Sequence, residues 1–294
     1  MGGGTMGLIC FTPQNINEAI QYLHQYGDET TILAGGTDVL VRYYGRLDEL
    51  GRIMNIYELD ELKSIRIVDD EIEVGSLVTH TQLEESTIIL NHAPLLAEAA
   101  AEVGSPQIRN RGTIGGNVAN SSPAGDTLPP LIALDAKVKL LSLDRGERII
   151  PVSEFFTGPG RNVAKEDELI TGFVFPIPKE NYRGSFVKLG YRKALAISTV
   201  NAAVMLALDG DVVEDCRIVL GAVAPTPVRV KLTEEILKGN PITDQILESA
   251  MNQLVQEISP ISDLRGSSKY RLNMAKVLVV RAIHNIFKKG GRTQ

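Results

Sequence analysis

Two glycine-bearing segments of the sequence have the residue types needed to hold a phosphate group. They read Ala34-Gly35-Gly36-Thr37-Asp38 and Thr113-Ile114-Gly115-Gly116-Asn117. Glycine permits positive φ and close backbone approach, so successive N–H groups at the start of a following helix can point at a pyrophosphate. Taken singly, either glycine pair is better explained as a tight turn, because glycine turns are common.

Residues around the second segment suit the rest of a nucleotide. Arg109 and Arg111 precede it, although exposed arginines are the rule in most proteins. Asn120, Ser122 and Asp126 follow it. We expect the Asp126 carboxylate to accept hydrogen bonds from ribose or ribityl hydroxyls rather than approach a phosphate, because like charges repel.

The standard nucleotide-binding signatures are missing from the sequence. No G-x-x-x-x-G-K-[ST] phosphate loop occurs, and no G-x-G-x-x-G follows a predicted strand. Kinase-like and ordinary Rossmann interpretations therefore lack their signature. A dinucleotide would have to be held across two separate loops.

Composition and charge narrow the class of protein. The chain has 294 residues, 44% of them hydrophobic, and a net charge of -6, which argues against a nucleic-acid partner. Cys10 and Cys216 cannot supply the four thiolates of an iron–sulfur cluster, and the four histidines show no metal-binding spacing, so we expect no metal in this chain. No segment approaches a membrane span and no secretory pattern opens the sequence, which predicts a cytoplasmic location.

Hydrophobic periodicity predicts the elements that position the two segments. Thr12-Pro13 has the pattern of an N-cap and first helical residue, for a helix of about 14 residues ending before Gly27. A short buried strand at 31–34 then runs into the first glycine segment. A helix at 95–103 precedes residues 104–130, whose polar composition and length are typical of a functional loop.

Short β-branched runs and turn residues predict the rest of the chain. Strands are expected at 53–56, 65–68, 72–74, 137–142, 147–150, 169–175, 185–191, 200–208 and 213–223, and helices at 241–257 and 268–288. Because strands and helices form separate blocks, the pattern favours an α+β fold over a doubly wound sheet. Pro176-Ile177-Pro178 marks a domain boundary. Residues 1–6 are expected to be an expression remnant or a flexible tail.

Two longer motifs resemble a known family. The first is I-L-A-G-G-T-D-V at 32–39, and the second is R-x-R-G-T-I-G-G-N-x-x-x-x-S-P-x-x-D at 109–126. Together they are similar to the FAD-binding medium subunits of molybdenum hydroxylases, which include the flavin subunit of xanthine dehydrogenase and the medium subunit of carbon monoxide dehydrogenase. The likeness runs from about Leu8 to Ile286, and the second motif is far more specific than either glycine pair.

The resemblance implies the domain organisation. Residues 7–178 would form a FAD-binding domain of the vanillyl-alcohol-oxidase type (PCMH-type), built of two α/β subdomains at about 7–60 and 61–178. Residues 179–290 would form a small C-terminal α+β domain.

The resemblance also assigns cofactor-binding positions. They are Ile32, Leu33, Ala34, Gly35, Gly36, Thr37, Asp38 and Val39 in the first loop, Thr113, Ile114, Gly115, Gly116 and Asn117 in the second, and then Asn120, Ser122, Asp126, Ile170 and Lys188. Asp126 matches a flavin-contacting aspartate, Ile170 an apolar residue near the flavin, and Lys188 a lysine at the edge of the ring. Residue chemistry alone would make Ile170 strand core and Lys188 an exposed charge.

The function that the resemblance implies is electron relay, for which no catalytic side chain is needed. FAD on this chain would take electrons from iron–sulfur clusters on a small partner subunit and pass them to NAD or another acceptor. Substrate hydroxylation would take place at a molybdopterin centre on a large subunit. The stretches at 190–194 and 117–120 favour the xanthine dehydrogenase branch over carbon monoxide, nicotinate or aldehyde-oxidising relatives.

The chain departs from many relatives at 193–198, where it lacks an acidic or aromatic residue and Ile197 would cover one flavin face. The electron acceptor therefore stays open. Two other functions also stay open: a stand-alone flavin oxidase, although no His or Cys neighbours Gly36 to tether a flavin, and an assembly subunit without cofactor, which the two intact glycine loops disfavour. The cysteine cluster of benzoyl-CoA-reductase-type relatives is absent.

Overall fold

The computed structural model describes residues 8–192 and 195–289, so the tail predicted at 1–6 lies outside the described residues. The first part of the chain forms β1 Ile9–Phe11, α1 Ile16–Tyr26, β2 Thr30–Leu33, α2 Val39–Arg42, β3 Arg52–Asn55, β4 Ile65–Val68, β5 Glu71–Gly75, α3 His80–Glu85, α4 Thr87–His92, α5 Pro94–Ala101, α6 Pro106–Arg109, α7 Ile114–Asn120 and α8 Leu128–Ala133. The remainder forms β6 Lys137–Ser142, β7 Gly146–Pro151, β8 Phe156–Gly158, β9 Arg161–Asn162, β10 Leu169–Pro176, β11 Tyr182–Leu189, β12 Val200–Asp209, β13 Val212–Gly221, β14 Val228–Arg229, α9 Lys231–Leu237, α10 Asp244–Glu257 and α11 Ser268–Lys289.

The strands of the described residues form separate sheets. A parallel sheet has the order β1-β3-β2, an antiparallel sheet has the order β4-β5-β10-β6-β7, and a second antiparallel sheet has the order β11-β12-β13-β14. Strands β8 and β9 pair in a short hairpin. Strands and helices that are largely segregated along the chain confirm the predicted α+β class.

Helix α1 begins later than the sequence pattern predicts. Asn15, not Thr12, is the N-cap: its side chain accepts a 2.9 Å hydrogen bond from the Glu18 amide. Glu18 in turn accepts from the Gln14 amide at 2.9 Å, so this local exchange of hydrogen bonds satisfies the start of the helix. The predicted start at Thr12-Pro13 is therefore wrong, and the helix has 11 residues.

The five-stranded sheet contains strands that the sequence predicts, although its strand order was not predicted. Strands β4 and β5 form the expected hairpin, with Asp69 and Asp70 at φ of 45° and 56° in its turn. Central strand β10 buries Phe173 and Phe175 completely. These rings pack in one hydrophobic core with the alanine-rich helix α5, so this half of the molecule has a continuous interior.

Residues 104–130 are not the extended loop that their composition predicts. They contain α6, α7 and the start of α8, and the side chains of Ser105 and Thr113 cap the first two of these helices. Helices α3 and α4, also unexpected, are capped by Thr79 and Ser86. Capping residues and prolines at helix starts make these segments polar and proline-rich, which explains the wrong prediction.

Strand β12 connects the two halves of the molecule because each of its faces packs in the hydrophobic core of one half. Ala203 and Met205 face the core that contains α5 and α8, whereas Ala202, Val204 and Leu206 face the core that contains α10 and α11. A strand covered on both faces has a continuous apolar run, as the sequence of β12 does. The domain boundary at 176–178 stays a prediction.

None of the helices in the described ranges is both long enough and apolar enough to span a bilayer.

Candidate functional site

A cavity of about 740 Å³ lies between the two glycine loops, within the size range of cofactor sites. Most of the predicted site residues line it: Ile32, Ala34, Gly35, Gly36, Thr37, Asp38, Val39, Thr113, Gly115, Gly116, Asn117, Asn120, Ser122, Asp126 and Ile170. Ile197 lines it as well. Two segments that are about 75 residues apart in sequence therefore line the same cavity.

The loops meet because Gly35 has no side chain. A β-carbon on Gly35 would lie 1.8 Å from the carbonyl oxygen of Arg111, which no real side chain could tolerate. Gly36 follows with φ of +77°, in the left-handed region that favours glycine. The first loop can therefore touch the backbone just before the second.

The first loop presents free backbone donors. The amides of Gly36, Thr37 and Asp38 donate to no acceptor in the described part of the chain, whereas the carbonyls of Gly36 and Asp38 accept from Leu40 and Arg42 as α2 begins. Consecutive unpaired N–H groups form a concavity that binds anions. Because α2 has only four residues, the binding capacity lies in these loop amides rather than in a helix dipole.

The second loop does not present free amides, so this part of the prediction is wrong. The amides of Ile114 and Gly115 donate to the carbonyls of Val78 and Ser76, both at 2.9 Å. The amides of Gly116 and Asn117 donate to the hydroxyl and carbonyl oxygens of Thr113. Glycine serves close packing here, since a β-carbon on Gly115 would lie 2.6 Å from the Ser76 carbonyl oxygen.

Asp126 links the second loop to the C-terminal sheet. Its carboxylate accepts from Lys188 Nζ at 2.6 Å, from Ser198 Oγ at 2.6 Å and from Asn201 Nδ2 at 2.9 Å. Lys188 also donates to the carbonyl of Glu102 at 2.8 Å. The Lys188 and Asp126 side chains are only 6% and 7% exposed, so Lys188 is a buried, paired charge rather than the exposed one that residue chemistry predicts.

Three predicted site residues do not line the cavity. Leu33 alternates with Ile32 and Ala34 along the chain and lies beside Gly36 instead. Ile114 is fully buried in the core against α5 and α8. Lys188 lines a neighbouring depression of about 790 Å³ that also includes Arg109 and Tyr191.

The two arginines flanking the second loop do not face the cavity either. Arg109 pairs with Glu84 at 2.9 Å and is 17% exposed. The guanidinium of Arg111 stacks 3.8 Å from the centre of the Tyr57 ring. Arg42 does line the cavity, where its positive charge could face a phosphate, and sequence reasoning missed this residue. Its guanidinium donates to Asn120 at 3.1 Å and so bridges α2 and α7.

Sequence reasoning also missed Ser76 and His80, two buried residues of the cavity wall. Ser76 Oγ and His80 Nδ1 have no hydrogen-bond partner in the described part of the chain. Burial, with a smaller contribution from the charge of Arg109, lowers the pKa of His80 to about 4. No motif marks these residues, because their importance comes from burial without a partner.

The residues present fit a dinucleotide cofactor. Loop amides and nearby buried polar atoms that have no partner among the described residues match the many acceptor oxygens of a diphosphate. Leu169, Ile170 and Ile197 provide apolar surface elsewhere in the same cavity, as a flat ring system requires. The cavity thus combines a polar part and an apolar part.

Comparison with known proteins gives the class. The profile of the FAD binding domain in molybdopterin dehydrogenase matches residues 5–178, and that of the CO dehydrogenase flavoprotein C-terminal domain matches residues 185–286. The chain therefore belongs to the family of FAD-binding subunits of molybdopterin dehydrogenases. This finding confirms the resemblance carried by the two motifs and the fold class that it implies.

Individual relatives cover almost the whole chain. It is 35% identical over 269 residues to the xanthine dehydrogenase FAD-binding subunit of Escherichia coli O157:H7, covering 90% of this chain and 92% of that protein. It is 35% identical over 284 residues to the nicotinate dehydrogenase FAD-subunit of Eubacterium barkeri, covering 95% and 93%. A solved chain of carbon monoxide dehydrogenase from Hydrogenophaga pseudoflava, in a form lacking the Mo-pyranopterin moiety of its cofactor, superposes with a TM-score of 0.91 at 30% identity, covering 96% and 98%.

Replacing Gly116 by valine should weaken FAD binding at least about 100-fold, because the added side chain enters the cavity while meeting only Thr113 Oγ1, at 3.0 Å, in the protein. The measurement is FAD affinity by fluorescence titration, with thermal unfolding to check the fold. Glu235→Val, an exposed position of α9, is the matched control. Full FAD affinity in Gly116→Val would remove Gly116 from the site.

The buried His80 should make the protein less stable in mild acid. Its pKa is lowered to about 4 in the folded protein, whereas the unfolded chain takes up the proton near pH 6.5. The free energy of unfolding should therefore fall by about 2 kcal/mol between pH 7 and pH 5 from this residue alone. Urea denaturation of the cofactor-free protein measures it.

His80→Gln should lose that part of the pH dependence, and His284→Gln, at an exposed position of α11, should keep it. An unchanged slope in His80→Gln would contradict a histidine that is buried in its neutral form.

Proposed function

We propose that this chain is the electron-relay subunit of a cytoplasmic molybdenum hydroxylase of the xanthine dehydrogenase type. It would receive electrons from iron–sulfur clusters on a small partner subunit and deliver them to NAD or another acceptor. The observation that carries the proposal is the cavity shared by both glycine loops, in a chain that belongs to the FAD-binding subunit family. FAD, when bound, supplies the chemistry by exchanging electrons singly or in pairs.

The first loop would hold the cofactor's diphosphate. Gly36, Thr37 and Asp38 offer amides that have no acceptor in the part of the chain that the structure describes, and Thr37 adds a hydroxyl at the cavity wall. Arg42 would contribute positive charge from the end of α2, where its guanidinium donates to Asn120. These groups bind and orient; none needs to gain or lose a proton.

The apolar part of the cavity would receive the flavin ring. Ile170 on β10 and Ile197 after β11 supply surface that excludes water from one region of the cavity. Ile197 is 63% exposed, and burial of this side chain against a ring would remove apolar surface from water.

The Lys188–Asp126 pair would act on the ring through charge. Lys188 does not reach the cavity wall, but its ammonium, 2.6 Å from Asp126, balances the negative charge that Asp126 would otherwise present there. Ser198 and Asn201 hold the carboxylate from the C-terminal sheet. Lys188 would thus set the electrostatic environment of the cofactor indirectly.

The remaining reaction would lie on partner chains. With two cysteines, one exposed and one buried, this chain cannot ligate an iron–sulfur cluster by itself. We therefore place the iron–sulfur clusters on a small subunit and the molybdopterin centre, where the substrate is oxidised, on a large one.

A nicotinate-oxidising complex is the strongest alternative within the same family. The nicotinate dehydrogenase FAD-subunit of Eubacterium barkeri matches this chain at the same 35% identity as the xanthine dehydrogenase subunit of Escherichia coli O157:H7. Because the proposal places substrate oxidation on a partner chain, sequence identity of the flavin-binding chain does not separate the two substrates.

Purification at native expression level tests the proposal. We expect this chain to co-purify with two others, and the complex to contain flavin, iron and molybdenum and to reduce NAD or a dye with xanthine. Reduction with nicotinate or carbon monoxide, but not xanthine, would favour the alternative. A lone yellow chain that consumes oxygen would contradict electron relay.

A further inference from the structure

Two buried polar atoms in the cavity wall lack a partner in the described residues. Ser76 and His80 are each 2% exposed, and Ser76 Oγ and His80 Nδ1 make no hydrogen bond there. An unsatisfied buried donor is costly, so native proteins retain few of them without a ligand, water or function to account for them. Both residues line the same cavity as the glycine loops.

Ser76 and His80 lie where the two glycine loops meet. The Ser76 carbonyl accepts from the Gly115 amide, and a β-carbon on Gly115 would lie 2.7 Å from Ser76 Cβ. The His80 amide donates to the Gly112 carbonyl at 3.0 Å. A β-carbon built on Gly112 would lie 3.2 Å from His80 Cδ2 and 3.4 Å from Thr37 Oγ1. The imidazole of His80 therefore lies near the hydroxyl of Thr37 in the first loop.

The backbone amides of the second loop and the two arginines that flank it are already used. The amides of residues 114–117 donate within the chain, and Arg109 and Arg111 are held by Glu84 and Tyr57. A diphosphate bound between the loops would therefore lack donors on its second-loop side unless side chains supply them. Ser76 and His80 are placed to do so.

We infer that Ser76 Oγ–H and His80 Nδ1–H donate hydrogen bonds to the diphosphate of FAD, taking the role that free amides of the second loop would otherwise have. The inference rests on the proposed FAD site. It assigns the Nδ1–H tautomer to His80, because a diphosphate offers only acceptors. The lowered pKa of His80 agrees with a neutral ring, which binds phosphate by a hydrogen bond rather than as an ion pair.

The test compares ligands with and without the diphosphate. The protein is isolated with any partner chains that co-purify, freed of flavin, and titrated with FAD and with riboflavin. Ser76→Ala and His80→Leu should each bind FAD about 10-fold more weakly and bind riboflavin within about 2-fold of the native protein. His80→Asn, whose amide N–H lies near the position of Nδ1, should restore most of the FAD affinity.

Matched controls separate the site from general effects of substitution. Ser259→Ala and His284→Gln change exposed residues of the other half of the molecule and should leave both affinities unchanged. Native FAD affinity in Ser76→Ala and His80→Leu would overturn the inference. Equal weakening of FAD and riboflavin binding, or failure of His80→Asn to differ from His80→Leu, would overturn it as well, because both indicate packing. Should His80→Leu fail to fold, Ser76→Ala decides.

The proposed function fails separately from this inference. If the native protein bound FAD no more tightly than riboflavin, no diphosphate site would exist and the FAD assignment of the cavity itself would be wrong. If it bound FAD tightly while the variants did as well, only the roles of Ser76 and His80 would be refuted.

Discussion

The site depends on a backbone contact that only glycine allows. Where Gly35 meets the carbonyl of Arg111, any β-carbon would overlap the oxygen, and the same holds less severely between Gly115 and Ser76. These two close approaches bring the first loop, the second loop and the β5–α3 connection against one another. Without these contacts the sheets would remain, but the two loops would not lie close enough to line one cavity.

The two glycine loops, although alike in sequence, therefore have different physical roles. The amides of the first loop have no acceptor among the described residues and lie at the cavity, whereas the amides of the second loop donate to residues 76–78 and to its own cap at Thr113. Because hydrogen bonds within the chain use the amides of the second loop, neighbouring side chains must supply the donors on that side of the cavity. Unpaired buried polar groups weaken the ligand-free state, so a ligand that pairs them also stabilises the fold by mass action.

Sequence patterns predicted those features that local chemistry determines. The β4–β5 hairpin, the apolar run of β12 and the α+β class followed from alternation and turn residues. The start of α1 was wrong because Asn15 and Glu18 outcompete Thr12, and residues 104–130 were mistaken for a loop because helix caps resemble loop residues. The family came from two long motifs rather than from periodicity.

The rest of the site could not be predicted because it depends on tertiary contacts. Lys188 pairs with Asp126 and Arg111 stacks on Tyr57, and the two residues of each pair are far apart in sequence. Nothing in the local sequence distinguishes Lys188 or Arg111 from a charged residue at the surface. Ser76 Oγ and His80 Nδ1 become buried without a partner among the described residues only once the surrounding chain has folded. Such features follow from packing, not from residue type.

The central claim is that one diphosphate binds between these two loops, and a crystal structure of the protein with FAD tests it most directly. The account predicts both phosphorus atoms within hydrogen-bonding reach of the amides at 36–38, with a phosphate oxygen contacting Ser76 or His80. Phosphates bound outside the cavity, or contacting neither loop, would contradict it.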